Sequence, residues 1–328
     1  MATSSDDVEN LEHEEVDSAI DDLDSYTEWS ETGTLESSAM DYRIVNGRSY
    51  HAYRAGRYDL PNDKAEQERL NLQHLLWVET LGGKLHAAPI PDDVQDVLDI
   101  ATGTGKWAID FADIHPSARV IGVDLSPIQP VWVPPNCMFE VDDAEADWMY
   151  HHNFDFIHGR TLTIGWRDWT RLSEQAFDYL NPGGWVEYEE FTFPTTCDCP
   201  PNTHPLAPVT EYLQYVVDAS SKKGVVMQTP ATLSARLSQA GFINIHSKEY
   251  RWYISNPKFK ADLLHGIEAV AFKMLTEQLG WSTEEVLVYC AGVRRWVAEQ
   301  TEEHDYLPIW VVYGQKPLNT GIKEDFEN

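Results

Sequence analysis

Positive charge is scarce in this sequence: 24 Lys+Arg stand against 54 Asp+Glu in 328 residues, a formal net charge of −30. So acidic a surface repels phosphate backbones, which argues against a general nucleic-acid binder. Long hydrophobic runs are missing too. Nothing approaches the roughly 18 apolar residues of a membrane-spanning helix, so no membrane association is expected. Met1–Asn10 is polar and acidic and lacks the apolar core of a signal peptide; a soluble protein, cytoplasmic or nuclear rather than secreted, is the expectation. Cysteine is sparse, with only Cys137, Cys197, Cys199 and Cys290. They are too few and too scattered for a disulfide framework. Cys197-x-Cys199 with nearby His204 resembles half a metal site, but a structural site wants four ligands in paired spacing and no second pair exists. Reduced loop thiols and no metal are expected.

Apolar residues at 42% and aromatics at 12% are enough for a sizeable core. Their placement is uneven. Residues 1–41 hold 14 of the acidic side chains and no Lys or Arg, with little to bury, so they read as a disordered arm that is either a solubilising tail or a docking segment for a basic partner. The stretch Asn46 to Tyr58 then packs tyrosines and arginines together (Tyr50, Tyr53, Arg54, Arg57, Tyr58), suited to folding over a ligand and pairing with its carboxylate or to packing on the acidic body. Pro61-Asn62-Asp63 starts a helix, with Asp63 as N-cap and Glu66 as its capping-box partner. Leu70, Leu72, Leu75, Leu76 and Val78 continue it, and Gly82-Gly83 stops it. Residues 42–91 thus read as a helical N-terminal cap segment.

From there strands and helices alternate. Val97–Ile100, Arg119–Asp124, Met138–Val141, Phe154–Ile157 and Gly184–Tyr188 read as strands. Trp107–Ile114 and Trp169–Leu180 read as helices between them. Such alternation gives right-handed βαβ units and a parallel sheet. Pro194–Pro208 breaks the pattern as a proline-rich loop or lid. Helices over Leu206–Lys222 and Ala231–Ala240 either cover a pocket or coat the sheet. A strand at Ile243–Ile254, helices near Phe259–Leu279 and Thr283–Glu299, and a strand at Leu307–Tyr313 complete the reading. Trp252, Trp281, Trp296 and Trp310 are expected in the core.

The sharpest signal is Asp99-Ile-Ala101-Thr-Gly103-Thr-Gly105 between a strand and a helix. Glycines there let backbone approach a ligand, and the helix N-terminus offers free N–H groups. Gly103, Gly105 and Ala108, with Asp124 some 20 residues on, also fit a dinucleotide fingerprint, which would make the chain an NAD oxidoreductase. Two carboxylates speak against that. Asp99 suits a ligand ammonium group, and Asp142-Asp143-Ala144 ends the third strand where an adenine amino group could donate. Leu180-Asn-Pro-Gly-Gly-Trp-Val-Glu187 adds a helix–turn–strand motif.

With these motifs in order, Val97–Phe191 resembles the class I S-adenosylmethionine-dependent methyltransferases. Tyr58-Asp-Leu-Pro-Asn-Asp63, Gly82-Gly-Lys-Leu-His86, Asp147-Trp148 and His158-Gly-Arg-Thr-Leu162 look more specifically like the fungal LaeA-type methyltransferases. That likeness runs from about Asn46 to Val312-Tyr-Gly-Gln-Lys316. One departure is Ala101, where these enzymes often carry Gly. The resemblance implies an α/β, Rossmann-like, seven-stranded sheet with the last strand antiparallel and helices on both faces. Its methyltransferase domain would span 92–328, with a helical insert or lid at about 192–240 and long helices at 258–304.

The resemblance further implies S-adenosylmethionine as cofactor and S-adenosylhomocysteine as product. Gly103 and Gly105, with Ala101, would meet the methionyl part, Asp99 its amino group, and Asp124 with Leu125 the ribose. Asp143 and the Ala144 N–H would hold the adenine, with Trp148 packed on it, and His158 would lie near the methyl sulfonium. Candidate bases are His158, Glu187, Glu189 and Glu190; alternation puts Glu187 and Glu189 on one face and Glu190 on the other. A carboxylate acceptor would need none. The Asn/Asp-Pro-Pro-aromatic motif of many amino-methylating enzymes is absent after the fourth strand. The expected function is O- or N-methylation of a small molecule in fungal secondary metabolism. The alternative is a LaeA-like regulator of secondary-metabolite genes working in the nucleus with velvet-type partners, with or without methyl transfer, although Arg294-Arg295 is too short for a localisation signal.

Overall fold

The computed structural model describes residues 41–199, 207–227 and 229–318. Apart from Asp41, the acidic arm falls outside them, as do His204 and the rest of 200–206. The described chain begins with a hairpin outside the expected elements. β1 (Arg43–Val45) and β2 (Arg48–Tyr50) form an antiparallel hairpin. Its turn is Asn46-Gly47, with φ of 50° and 76°, the dipeptide and backbone of a tight two-residue hairpin.

Helix α1 (Lys64–Thr80) starts as expected, the Asp63 carboxylate accepting the Glu66 N–H at 3.1 Å. The reciprocal half of the capping box is not made. Glu66 instead takes Arg69 at 2.6 Å, and Arg69 reaches Asp262 at 3.0 Å. The helix therefore buries Glu66, Arg69, Gln73 and His74 while Leu75 stays exposed. It lies between the sheet and a later helix that answers its charges, so the leucines alone do not mark its inner face. Gly82 and Gly83, at φ 66° and 89°, end it.

The βαβ region follows as β3 (Asp96–Ile100), α2 (Lys106–Ile114), β4 (Arg119–Asp124), β5 (Cys137–Val141), β6 (Phe154–Arg160), α3 (Trp169–Tyr179) and β7 (Leu180–Phe191). Short β8 (Thr196–Cys197), α4 (Pro208–Ser221), α5 (Leu233–Ala240), β9 (Ile243–Tyr253), α6 (Pro257–Leu279), α7 (Thr283–Glu299) and β10 (Asp305–Gln315) complete it. The main order is β5-β4-β3-β6-β7-β10-β9, with two-residue β8 also pairing β10. The β3–β4, β4–β5, β3–β6 and β6–β7 pairs are parallel, and β10 runs antiparallel to β7 and β9. The expected seven-stranded sheet with an antiparallel last strand is thus present.

Strand order reverses between β3 and β6. An open α/β sheet leaves a crevice there, at the strands' carboxyl ends. Trp252 is buried and packs edge-on against Trp77 at 4.9 Å, whereas Trp281, Trp296 and Trp310 are only half-buried at the core's margin. Helix α4 packs with α6 and α7 in one core cluster, and α5 against the sheet in another. Cys197 and Cys199 are not the expected reduced thiols. Just past β8 the Asp198 N–H donates to His304 O, and a disulfide joins the two cysteines across a Cα separation of 5.2 Å. Cys137 and Cys290 are free and buried. Among the described residues no helix is long and apolar enough to cross a membrane.

Candidate functional site

The turn after β3 is shaped by three left-handed residues: Ala101 (φ 52°), Gly103 (58°) and Gly105 (73°). Ala101 tolerates this at a cost of about 1 kcal/mol, so a small side chain suffices where glycine would be unstrained. Gly103 opens toward the crevice; a Cβ there would meet only Leu70, at 3.6 Å. Gly105 does something else. A Cβ on it would lie 2.3 Å from the Phe139 ring, and one on Gly122 would lie 2.6 Å from the same ring. Gly105 thus admits Phe139 beneath the turn and does not line the cleft, contrary to the expectation that it faces the cofactor. The turn is tied down from two sides. Thr102 N–H donates to Val123 O at 2.9 Å, and the Gln129 side chain donates to Gly103 O at 2.6 Å.

The cleft at the ends of β3, β4 and β5 gathers Ala101, Gly103, Asp124, Leu125, Asp143 and Ala144. Asp124 accepts the N–H groups of Gly103 and Ser126, both at 2.9 Å. Burial raises its pKa to about 6 against those donors. Asp143 lies 3.3 Å from the Arg57 guanidinium, which also holds Glu145 at 2.6 Å. Trp148 is not on the cleft. It is buried in the core with its indole N–H on Ala144 O at 2.9 Å, and Trp166 lines the cleft in its place.

Residues Arg57 to Asn62 roof the cleft. Ion pairs fasten this strap near its start, Arg57 to Asp143 and Glu145, and Asp59 to Lys223 and to Lys273, the last at 3.0 Å, and at its other end the Asn62 N–H donates to Ser49 O at 2.8 Å. The described residues of the helical insert do not line the cleft, so the roof comes from the N-terminal segment and those helices coat the core.

A smaller polar pocket adjoins the cleft and holds Asp99 and His158. His158 sits inside β6 rather than past its end, fully buried, and stacks on Trp107 at 3.8 Å and 4°. Its Nδ1–H donates to Asp99 at 2.7 Å, and Nε2 points toward Glu189 at 3.8 Å. The other Asp99 oxygen accepts Thr102 O–H at 2.5 Å. Burial opposes a charged ring, but the carboxylates of Asp99 and Glu189 outweigh it and raise the His158 pKa to about 9. At neutral pH it is an imidazolium, not a base.

Glu187 and Glu190 are buried anchors. Glu187 accepts the N–H groups of Ala87 and Ala88, at 2.9 and 2.5 Å, tying that segment to β7. Glu190, on the opposite face, accepts Leu162 and Thr163 N–H, each at 2.9 Å. Burial raises both to about 8, for Glu187 with added repulsion from Glu189. Neither lines the cleft or the small pocket, so Glu187 is not placed to serve as the catalytic base. Arg160 and His74 went unremarked as site residues. Arg160 was visible in the His158-Gly-Arg motif, whereas nothing in the sequence marks His74. Among the described residues no group of three or more His, Cys, Asp or Glu is arranged to hold a metal.

These groups give a pH dependence of fixed sign. Glu187 and Glu190 are raised from 4.5 to about 8, and His158 from 6.5 to about 9. In each case the folded state holds a proton that the unfolded state has released, so stability is full below the unfolded value and is lost as pH rises through the folded one. The melting temperature is expected to fall on the order of 5 °C or more between pH 5.5 and 9. A flat or rising profile in calorimetric melts would contradict these protonation states.

The chain is similar to known proteins. Residues 74–247 match the family described as a methyltransferase domain. The chain is 36% identical to methyltransferase pytC of Aspergillus terreus, covering 87% of this chain and 91% of that protein. It is 34% identical to the probable methyltransferase tdiE of Emericella nidulans, covering 78% and 83%. It is also 31% identical to the secondary metabolism regulator LAE1 of Cochliobolus heterostrophus, covering 84% and 94%.

Proposed function

The chain belongs to the methyltransferase-domain family, and from that premise we propose that its roofed cleft holds S-adenosylmethionine and presents the methyl group to a small-molecule acceptor of fungal secondary metabolism. The observation that carries this is the convergence of Gly103, Asp124 and Asp143 from three strand ends on one cleft at the sheet's reversal point. The donor set fits. Asp124 keeps lone pairs for ribose hydroxyls, Asp143 and the Ala144 N–H suit an adenine edge, and Gly103, at a left-handed φ of 58°, leaves the turn open toward the cleft. A dinucleotide would instead set its pyrophosphate against the turn beside Asp99, like charge facing like.

When bound, the cofactor supplies a methyl carbon activated on a sulfonium. The chain's residues orient and enclose. Tyr58, Leu60 and Trp166 exclude water from the cleft, and the strap fixes the near-attack geometry that displacement requires. The carboxylates lining the cleft are all engaged: Glu66 by Arg69, Asp124 by two backbone N–H groups, Asp142 by Tyr53, Asp143 by Arg57, and Glu145 by Arg57 and Arg167. The acceptor is then an oxygen or nitrogen nucleophile that arrives already deprotonated, a carboxylate being the simplest case.

Similarity to the secondary metabolism regulator LAE1 favours a second reading, a regulator of secondary metabolism with or without methyl transfer. A stoichiometric partner that copurifies and is lost on deleting residues 1–41 would favour the second, and calorimetric titration tests the cofactor on which the first rests. S-adenosylmethionine and S-adenosylhomocysteine are expected to bind at micromolar strength, about −8 kcal/mol, with no heat from NAD. Silence from both sulfur ligands would overturn the cofactor reading and leave the regulatory one.

A further inference from the structure

One face of helix α7 is left uncovered by the described residues. Val286, Cys290, Val293 and Val297 pack into the core that α7 shares with α4 and α6. The opposite face is exposed, yet it is not the polar surface of a solvated helix. Glu284, Val288, Ala291 and Arg295 form one stripe along it, at spacings of four, three and four, with Leu287 and Gly292 alongside. Val288 is 75% exposed and Leu287 42%. Nothing within the chain requires glycine at 292, since a Cβ there would meet no atom within 4 Å. Glycine inside a helix costs stability, and what it offers in return is close approach of another backbone.

The charges are graded along the stripe. Glu284 and Glu285 lie in the first turn, and Glu285 accepts the Ser282 N–H at 2.7 Å. About three turns on, Arg294 is held by Glu268 at 2.8 Å. Glu284 and Arg295 are exposed and form no ion pair among the described residues. About 16 Å of helix separates them, too far to pair within one chain. Beside Glu284 the surface is hollow. Trp281 and Tyr289, edge-on at 5.3 Å, line a shallow recess with Glu284, Glu285 and Val288. Aromatic rings beside carboxylates are the surroundings that seat a guanidinium.

The stripe thus runs acid, apolar, small, base, and is its own complement in reverse. A two-fold axis through the middle of α7 lays Glu284 of each copy against Arg295 of the other, and Val288 against Ala291. We infer that α7 pairs antiparallel with α7 of a second copy of this chain, the Arg295 of each seated in the other's recess. The net charge of −30 opposes self-association, but at about 0.15 M salt charges more than roughly 8 Å apart are screened, so the contact pairs decide. A contact built on one helix is at the small end of specific interfaces, which sets the expected dissociation constant in the micromolar range. No α7 residue lines the cleft or the small pocket, so the inference stands apart from the cofactor reading.

Sedimentation velocity of the full chain from about 1 to 100 μM reads the balance of monomer and dimer. Wild type is expected to pass from one to the other across that range. Glu284→Arg and Arg295→Glu each set like charges together at both ends of the contact and are expected to weaken the dimer about tenfold or more. The double variant Glu284→Arg/Arg295→Glu is expected to return to within about threefold of wild type. That recovery cannot come from within α7, where the reversed first-turn charge opposes the helix dipole in the double variant as in the single one. A wild type that stays monomeric at every concentration would overturn the inference and leave the face to another protein. A dimer indifferent to the single variants would overturn it by placing the contact elsewhere, and so would a double variant no better than either single one. Should the double variant fail to fold, Val288→Asp takes its place: a loss of about tenfold or more is expected, and an unchanged dimer would overturn the inference.

Discussion

Asp124→Ala is expected to weaken S-adenosylhomocysteine binding by at least about two orders of magnitude while the protein stays folded. A carboxylate hydrogen bond to a hydroxyl contributes about 1.5–3 kcal/mol, and a ribose offers two hydroxyls. The same carboxylate holds the Gly103 and Ser126 N–H groups, so its loss also loosens the turn that faces the ligand. Asp124→Asn separates the contributions, because an amide keeps one acceptor for the backbone but carries no charge. A pH signature accompanies the wild type. With the Asp124 pKa raised to about 6 by burial, affinity holds above that value and declines below it as the carboxyl takes up a proton; in Asp124→Asn the decline is absent. Binding of Asp124→Ala within threefold of wild type would remove Asp124 from the site.

His158→Ala is the larger expected loss of stability. It deletes the cation between Asp99 and Glu189, both buried, and the face on which Trp107 stacks. Breaking a buried pair by removing one partner costs about 3–5 kcal/mol, because uncompensated charge remains out of water. The melting temperature at pH 7 should drop by on the order of 10 °C. The deficit should shrink toward lower pH, where Glu189, no longer held down by the His158 cation, takes up a proton more readily. A change under about 1 kcal/mol in denaturant melts would mean that the charges are already balanced without the ring.

Much of this site could be read in the sequence because its parts are local. Asp99, Ala101 and Gly103 sit within five residues of chain, and Asp124 and Asp143 each end an apolar run whose period marks a strand. Tight turns demand particular residues, so Asn46-Gly47 was legible in principle although the hairpin was missed. The errors have a common origin in partners distant along the chain. Glu187 is a candidate base by its place at the end of the fifth strand of the alternating pattern, yet its donors lie 100 and 99 residues upstream at Ala87 and Ala88. Arg69 finds Asp262 across 193 residues, which is why α1 buries charge where a hydrophobic stripe was expected. Trp148 and Trp166 were indistinguishable as aromatics, and only packing assigned one to the core and the other to the cleft.

The ion pairs that hold the strap differ in exposure. Asp59 and Lys273 are each 8% exposed, while Arg57, two residues from Asp59, is 32% exposed. Dissolved salt screens the second far more than the first. Rising ionic strength therefore acts first on the contacts of Arg57 with Asp143 and Glu145, on the β5 side of the cleft, and leaves the lysine contacts of Asp59 in place.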